Sequence, residues 1–239
     1  MQNMDTIQDI DNIQDLEIVA RQMRMDWDER ALQNPRFFVQ SAKSEWDDAE
    51  FFRSGEVNVA NEVMPDIHRI CGGSRSPREL TMVEIGCGVG RMTRMLSALF
   101  GKVYAVDVSA GMINSARRAL GDYRNIEFLL TDGKSLYPIP ADTVDFVFTF
   151  IVLQHIPSKD VIKSYFHEAF RILKPGGVFK AQLNGAAEDP QTQRVPDTWD
   201  GVRFSTQEME DLASSSGFQM ESITGCDTQY CWVFLRKPW

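Results

Sequence analysis

The chain is predicted to be an α/β protein, a doubly wound, mostly parallel sheet with helices on both faces. Three observations carry this. Short apolar runs alternate with longer stretches of helical periodicity between Leu80 and Leu183, the pattern of β-α units that share a parallel sheet. One junction, Val83-Glu84-Ile85-Gly86-Cys87-Gly88-Val89-Gly90-Arg91, passes from strand to helix through three glycines at alternate positions. Two apolar runs near the end, residues 218–224 and 228–236, are separated by Gly225-Cys226-Asp227, a spacing that suits a hairpin. That hairpin makes the last of seven strands antiparallel and argues against two equivalent nucleotide-binding halves.

In chain order, residues 6–24 place Ile7, Ile10, Ile13, Leu16, Val19 and Met23 three or four apart, an amphipathic helix with an acidic outer face. Asn34-Pro35 stops a helix or turns the chain. Ser44-Glu45-Trp46-Asp47 has the form of a capping box and should open another helix. Residues 62–71 read as a helix with Val63, Ile67 and Ile70 inward, closed by Gly72-Gly73. The first strand holds Leu80, Met82, Val83 and Ile85, too brief a run for a helix. Residues 91–100 then carry Met92, Met95, Leu96 and Leu99 at helical spacing. The second strand is Lys102 to Asp107, after which Ser109 caps a helix to about Gly121. The third is residues 126–131, ending at Asp132-Gly133. The fourth, residues 144–153, is a continuous, largely apolar run, as a strand buried on both faces should be. A helix over residues 159–173 ends at Pro175-Gly176-Gly177, and the fifth strand is residues 178–183. Residues 186–204 form a polar connection too long to be idle, and Ser205-Thr206-Gln207-Glu208 caps a last helix.

The totals narrow the function classes. A length of 239 residues suits one domain with an appendage. The net charge is −9, of which residues 1–50, with 12 acidic and 5 basic side chains, carry −7. Neither part has the basic footprint that nucleic acid requires. The longest apolar run, near residues 146–153, is too short for a bilayer, and the acidic start is no signal peptide. The four cysteines form no C-x-x-C pair, give no metal signature and no disulfide framework. These features suggest a reduced, cytoplasmic setting without a membrane.

The glycine junction carries the chemistry. Gly86, Gly88 and Gly90 let a ligand approach the backbone, and the following helix presents free N–H groups; the plain alternative is a tight turn. A dinucleotide fingerprint reads G-x-G-x-x-G. Here the spacing is G-x-G-x-G, and Arg91 stands where the third glycine would be. Asp107 ends the next strand at the distance of a ribose-binding carboxylate, able to accept two hydroxyls.

With these residues the chain resembles the class I S-adenosylmethionine-dependent methyltransferases that act on small molecules, from about Glu56 to its end. The resemblance implies a Rossmann-like methyltransferase domain over residues 56–239, preceded by a helical arm, residues 1–55. It implies S-adenosylmethionine as cofactor and S-adenosylhomocysteine as product. The implied cofactor-binding residues are Glu84, Gly86, Cys87, Gly88, Gly90, Arg91, Asp107, Val108, Asp132, Gly133 and Phe150. Among these Glu84 would hold the amino end and Asp132 the adenine amino group, unless Asp132 only turns the chain with Gly133. Arg91 would meet the cofactor carboxylate or a surface acid. Phe150-Ile151-Val152-Leu153-Gln154-His155-Ile156-Pro157 would face the methyl, with His155 either a general base or a loop brace. The acceptor would be a small molecule presenting N, O or C. A nicotinamide-dependent oxidoreductase and a non-catalytic cofactor-binding protein are the rivals. In similar enzymes an N-terminal segment folds over the cofactor, so the arm, with Trp27, Phe37, Phe38 and Trp46, is expected to be a lid. The alternatives are a helix packed permanently elsewhere or a dimer contact through Ile7, Ile10 and Ile13.

Overall fold

A computed structural model describes residues 2–187 and 194–239, with side chains from Asp15 onward. Seven strands form one sheet: β1 (Thr81–Ile85), β2 (Lys102–Asp107), β3 (Ile126–Leu130), β4 (Val144–Thr149), β5 (Leu173–Leu183), β6 (Gln219–Thr224) and β7 (Cys231–Arg236). Their order is β3-β2-β1-β4-β5-β7-β6, and β7 alone runs antiparallel to its neighbours. The expected doubly wound sheet with an antiparallel last strand is therefore present. All six residues of β4 are buried, because it lies near the centre with helices on both faces.

Among the described residues, eight helices flank the sheet: α1 (Gln2–Gln33), α2 (Pro35–Val39), α3 (Asp48–Glu62), α4 (Ile67–Ile70), α5 (Thr93–Leu99), α6 (Ala110–Leu120), α7 (Lys159–Ile172) and α8 (Thr206–Ser215). Alternate strand residues feed two cores. Val83, Ile85 and Val147 meet Val161, Ile162 and Phe166 of α7 and Leu212 of α8. Met82, Phe146 and Phe148 meet Phe51 of α3, Leu96 of α5 and Met112 of α6. Among the described residues, no helix is long and apolar enough to cross a membrane.

Several element boundaries differ from expectation, each for a local reason. The first helix runs on to Gln33, since nothing breaks the pattern before Asn34-Pro35. The side chains of Ile7, Ile10 and Ile13 lie outside the described residues, as does part of the 186–204 connection. Asp47, rather than Ser44, caps α3, its carboxylate accepting from the Glu50 N–H. Helix α3 passes residue 55 without a break. Pro65 has no N–H to donate, and the helix expected over residues 62–71 is split into a 3-10 turn, Met64–Asp66, and the short α4. Helix α5 starts only at Thr93. Strand β4 stops at Thr149 because Ile151 takes a left-handed backbone, φ 55°. Strand β5 begins at Leu173, with a register shift where Pro175-Gly176-Gly177 enters the ladder. Strand β7 starts at Cys231, so its connection from β6 is longer than the predicted three residues.

Candidate functional site

In a parallel sheet of this order the crevice lies beyond the carboxyl ends of β1 and β4, where the winding reverses. A cavity of about 980 Å³, counted out to its mouth, occupies that place. The β1 loop forms its floor. Gly86 has φ 74°, and a Cβ there would come within 2.3 Å of the Val152 side chain. Gly88 has φ 54°, and a Cβ would come within 2.7 Å of Val39. Only glycine supplies this backbone with this clearance. The N–H groups of Gly86, Cys87 and Gly88 are engaged within the protein. Gly86 and Cys87 donate to the Val106 carbonyl, and Gly88 donates to Asp107 Oδ2 at 2.9 Å. The loop is thereby tied to the end of β2, and α5 is a short, later element.

Two buried carboxyl groups face this cavity. Glu84, 5% exposed, accepts the Thr93 hydroxyl at 2.6 Å. Burial pushes its pKa up to about 7, against the Thr93 hydrogen bond and the nearby Arg91 charge. Asp107 is raised to about 6, again by burial, against backbone N–H donors that include Ser109 and Gly88. Each of its oxygens takes one of these N–H groups, which leaves acceptor capacity on both. Arg91 donates to Asn58 at 2.6 Å and Ser54 at 3.3 Å, while its buried Nε has no partner among the described residues. Burial lowers the Arg91 pKa to about 10 and pushes the Cys87 thiol well up. Cys87 is therefore a neutral wall rather than a nucleophile.

The cavity is closed by elements distant in sequence. Met23 and Trp27 of α1 and Phe38 and Val39 of α2 line it, opposite Phe150, Ile151, Val152, His155 and Ile156. Asp28 fastens α1 across the start of α6, accepting from the Ser109 hydroxyl at 2.6 Å and the Gly111 N–H at 3.0 Å. Arg30 donates to the Thr198 carbonyl at 2.9 Å and hydroxyl at 3.0 Å, with its guanidinium 4.6 Å from the Trp27 ring and 5.4 Å from Trp199. The arm thus spans the cavity from the β2 side to the segment before α8.

Of the sequence-derived candidates, the structure brings Glu84, Gly86, Cys87, Gly88, Arg91, Asp107, Val108, Phe150 and His155 to this one cavity. Gly90, Asp132 and Gly133 do not border it. A Cβ on Gly90 would meet Leu120 of α6, and one on Gly133 would meet Val108 and Ala20. Asp132 Oδ1 accepts from the N–H groups of Lys134 and Ser135, the turn role named as its alternative. His155 has both ring nitrogens engaged, Nδ1 with the Trp199 carbonyl and Nε2 with the Gln154 amide. Burial lowers its pKa, which favours the neutral ring. Residues the sequence did not assign to the site include Met23, Val39, Met112, Thr131 and Tyr165. Tyr165 came from the core face of α7, where periodicity alone cannot separate packing from pocket. Trp27 and Phe38, expected on an arm over the cofactor, line the cavity.

Residues 83–181 match the model of a family described as a methyltransferase domain. The trans-aconitate 2-methyltransferase of Azoarcus sp. (strain BH72) is 29% identical over 159 residues, covering 64% of this chain and 56% of that one. Phosphoethanolamine N-methyltransferase 2 of Caenorhabditis elegans is 28% identical over 154 residues, 60% of this chain and 34% of the other. The chain thus spans about half the length, or less, of these two relatives. The DhpI–SAH complex superposes with a TM-score of 0.60 at 21% identity, over 92% of this chain and 97% of that one; that likeness is one of fold.

Proposed function

We propose that this chain, whose residues 83–181 match the model of a methyltransferase-domain family, is a class I S-adenosylmethionine-dependent methyltransferase that transfers a methyl group to N, O or C of a small molecule. The observation that carries the reading is the pairing of a glycine floor with two carboxyl groups of raised pKa, Glu84 and Asp107, in one cavity. Both keep acceptor capacity beyond their present partners, and a ligand with an amino group and vicinal hydroxyls would use it. In this reading Asp107 accepts the ribose hydroxyls and Glu84 the amino end. The buried, unpartnered Nε of Arg91 faces the carboxylate. Val108 and Phe150 flank the adenosyl group, and Gly86, Cys87 and Gly88 form its bed. The roles first given to Gly90, Asp132 and Gly133 become indirect, through helix packing and the turn after β3.

S-adenosylmethionine, when bound, supplies a methyl already activated on a sulfonium. The protein's task is then alignment and exclusion of water. Trp27, Phe38 and His155 wall the open end, where the acceptor enters. Residues 1–55 act as the closing arm and residues 56–239 as the methyltransferase domain. The two relatives named above act on different acceptors by name, which leaves the acceptor of this chain as a small molecule whose fit is set by that aromatic wall. The net charge of −9 disfavours nucleic acid as the acceptor. Calorimetry tests the reading: S-adenosylhomocysteine should bind and NAD should not. Binding of NAD alone would overturn it in favour of the oxidoreductase. Binding of the adenosyl ligands without turnover on any acceptor panel would favour a non-catalytic binder.

A further inference from the structure

Behind the cavity wall lies a polar chain that the reading above does not use. Gln182, on β5, is fully buried. Its Oε1 accepts the Ile151 N–H at 2.8 Å. A backbone N–H can only donate, so the orientation of this amide is settled. Its Nε2 therefore donates, and it faces three acceptors: Gln154 Oε1 at 3.0 Å, the Leu183 carbonyl at 3.0 Å and the Gln229 carbonyl at 2.6 Å. That in turn orients Gln154, whose Nε2 must point at His155 Nε2, 3.3 Å away. An NH₂ group can only donate, so His155 Nε2 is the acceptor. The ring proton then sits on Nδ1 and is donated to the Trp199 carbonyl at 2.5 Å.

The two ends of this chain matter to the site. Ile151 is β-branched and has φ 55°, a strained backbone that persists only where its surroundings impose it. It lines the cavity. The His155 ring lies 5.6 Å from the Trp27 ring and 5.3 Å from the Trp199 ring. It is the platform on which the arm and the segment before α8 meet.

We propose that Gln182 is a positioning residue of this site: its buried amide holds Ile151 in its strained backbone and, through Gln154, keeps an N–H donor against His155 Nε2, which holds the ring neutral in the Nδ1–H form that the Trp199 carbonyl requires. Gln182 itself touches no ligand. The tautomer assignment stands on hydrogen-bond geometry alone; the effect on ligand binding rests on the methyltransferase reading.

The test uses the full chain labelled with ¹⁵N and long-range proton–nitrogen NMR of its three histidines, assigned with His68→Gln and His167→Gln. Wild-type His155 should show the Nδ1–H tautomer. Gln182→Met frees Gln154 to turn its carbonyl toward Nε2 while the Trp199 carbonyl still holds Nδ1–H, so the fraction of His155 protonated on both nitrogens should rise at a given pH, and S-adenosylhomocysteine affinity should fall about tenfold, the loss of one or two buried hydrogen bonds. Gln154→Glu keeps an acceptor toward Gln182 but turns a second acceptor on Nε2. His155 should then carry protons on both nitrogens at neutral pH. Arg30, Asp197 and Asp200 act on the same ring and are unchanged in every variant, so the shift reports on Gln154. A wild-type His155 in the Nε2–H form overturns the proposal, as does a folded Gln182→Met with an unaltered ring signature and affinity. Should Gln182→Met not fold, Gln154→Glu decides: an unprotonated His155 there overturns it. If the wild type binds no S-adenosylhomocysteine, the methyltransferase reading fails while the tautomer result still stands.

Discussion

Glu84 and Asp107 are the residues at which the free protein and its complex should differ most. Both sit above their ordinary range, at about 7 and about 6, chiefly through burial. The sign follows directly. A carboxyl whose folded pKa is raised contributes stability that is fully present below the unfolded value of about 4 and is lost as pH rises through the folded value. The free protein should therefore lose stability between roughly pH 4 and 7 through these two groups. Glu84→Gln, which cannot ionise, should flatten that fall in a series of thermal melts; an unchanged slope would count against the buried-acid assignment. Donors from a ligand favour the charged forms, so binding should release protons near pH 6 and strengthen as pH rises toward 7. Calorimetry in two buffers of different ionisation enthalpy reads that release, and identical heats in both would refute it. Asp107→Ala should weaken S-adenosylhomocysteine by about 1–3 kcal/mol, the cost of stranding the hydroxyls it accepts. Circular dichroism must accompany that measurement, since Asp107 also holds the Gly88 N–H.

At the scale of elements, the β1 loop is the least tolerant part of the site. Gly86→Ala must place a Cβ 2.3 Å from Val152 in a left-handed backbone. The variant should be destabilised by about 1–3 kcal/mol and lose ligand affinity; denaturant melts equal to wild type would show that the loop can move aside. The strands were legible because each carries its signal locally. The glycine run marks the end of β1, Asp107 the end of β2, and the apolar block of residues 144–149 a strand covered on both faces. Where signals were ambiguous, longer-range structure decided. The apolar run continues through Ile151 to Leu153, and nothing in it reveals that a side-chain amide from β5 will catch the Ile151 N–H and end the strand at Thr149. The Ser44 capping pattern lost to Asp47 because both fit the motif and only packing selects between them. Asp132 looked like a ligand for the same reason Asp107 did, by ending a strand, yet the two backbone N–H groups after it lie close enough to take its carboxylate.

At the scale of the whole molecule, the floor of the site was readable in sequence and its roof only in part. The floor comes from contiguous motifs, whereas the roof joins α1, α2 and the segment around Trp199, contacts of long sequence separation such as Arg30 with Thr198. Composition hinted at this: the arm is acidic and aromatic beside a nearly neutral core. Its aromatic residues now divide into those over the cavity, Trp27 and Phe38, and Trp46, packed on Phe51 of α3. The arm is held by polar latches, Asp28 to α6, Arg30 to Thr198 and Lys134 to Glu17, by aromatic contacts around His155, and by packing of Leu16, Val19 and Met23 on one core and Ala31 and Val39 on the other. An element held so can open without unfolding the sheet beneath, and opening is the route by which a ligand reaches a cavity this covered. We therefore expect amide exchange across residues 15–39 to slow when S-adenosylhomocysteine is added, while exchange in β1, β4 and β5 stays nearly constant. Asp28→Ala should remove one latch without touching the ligand. It should raise exchange in the arm, speed ligand release severalfold, and leave the melting transition of the sheet within several degrees, as the loss of two part-buried hydrogen bonds of about 1 kcal/mol each would. Arm protection that is the same with and without ligand, together with an unaltered release rate in Asp28→Ala, would mean that residues 1–55 are a fixed wall, and that acceptor and cofactor enter by another path.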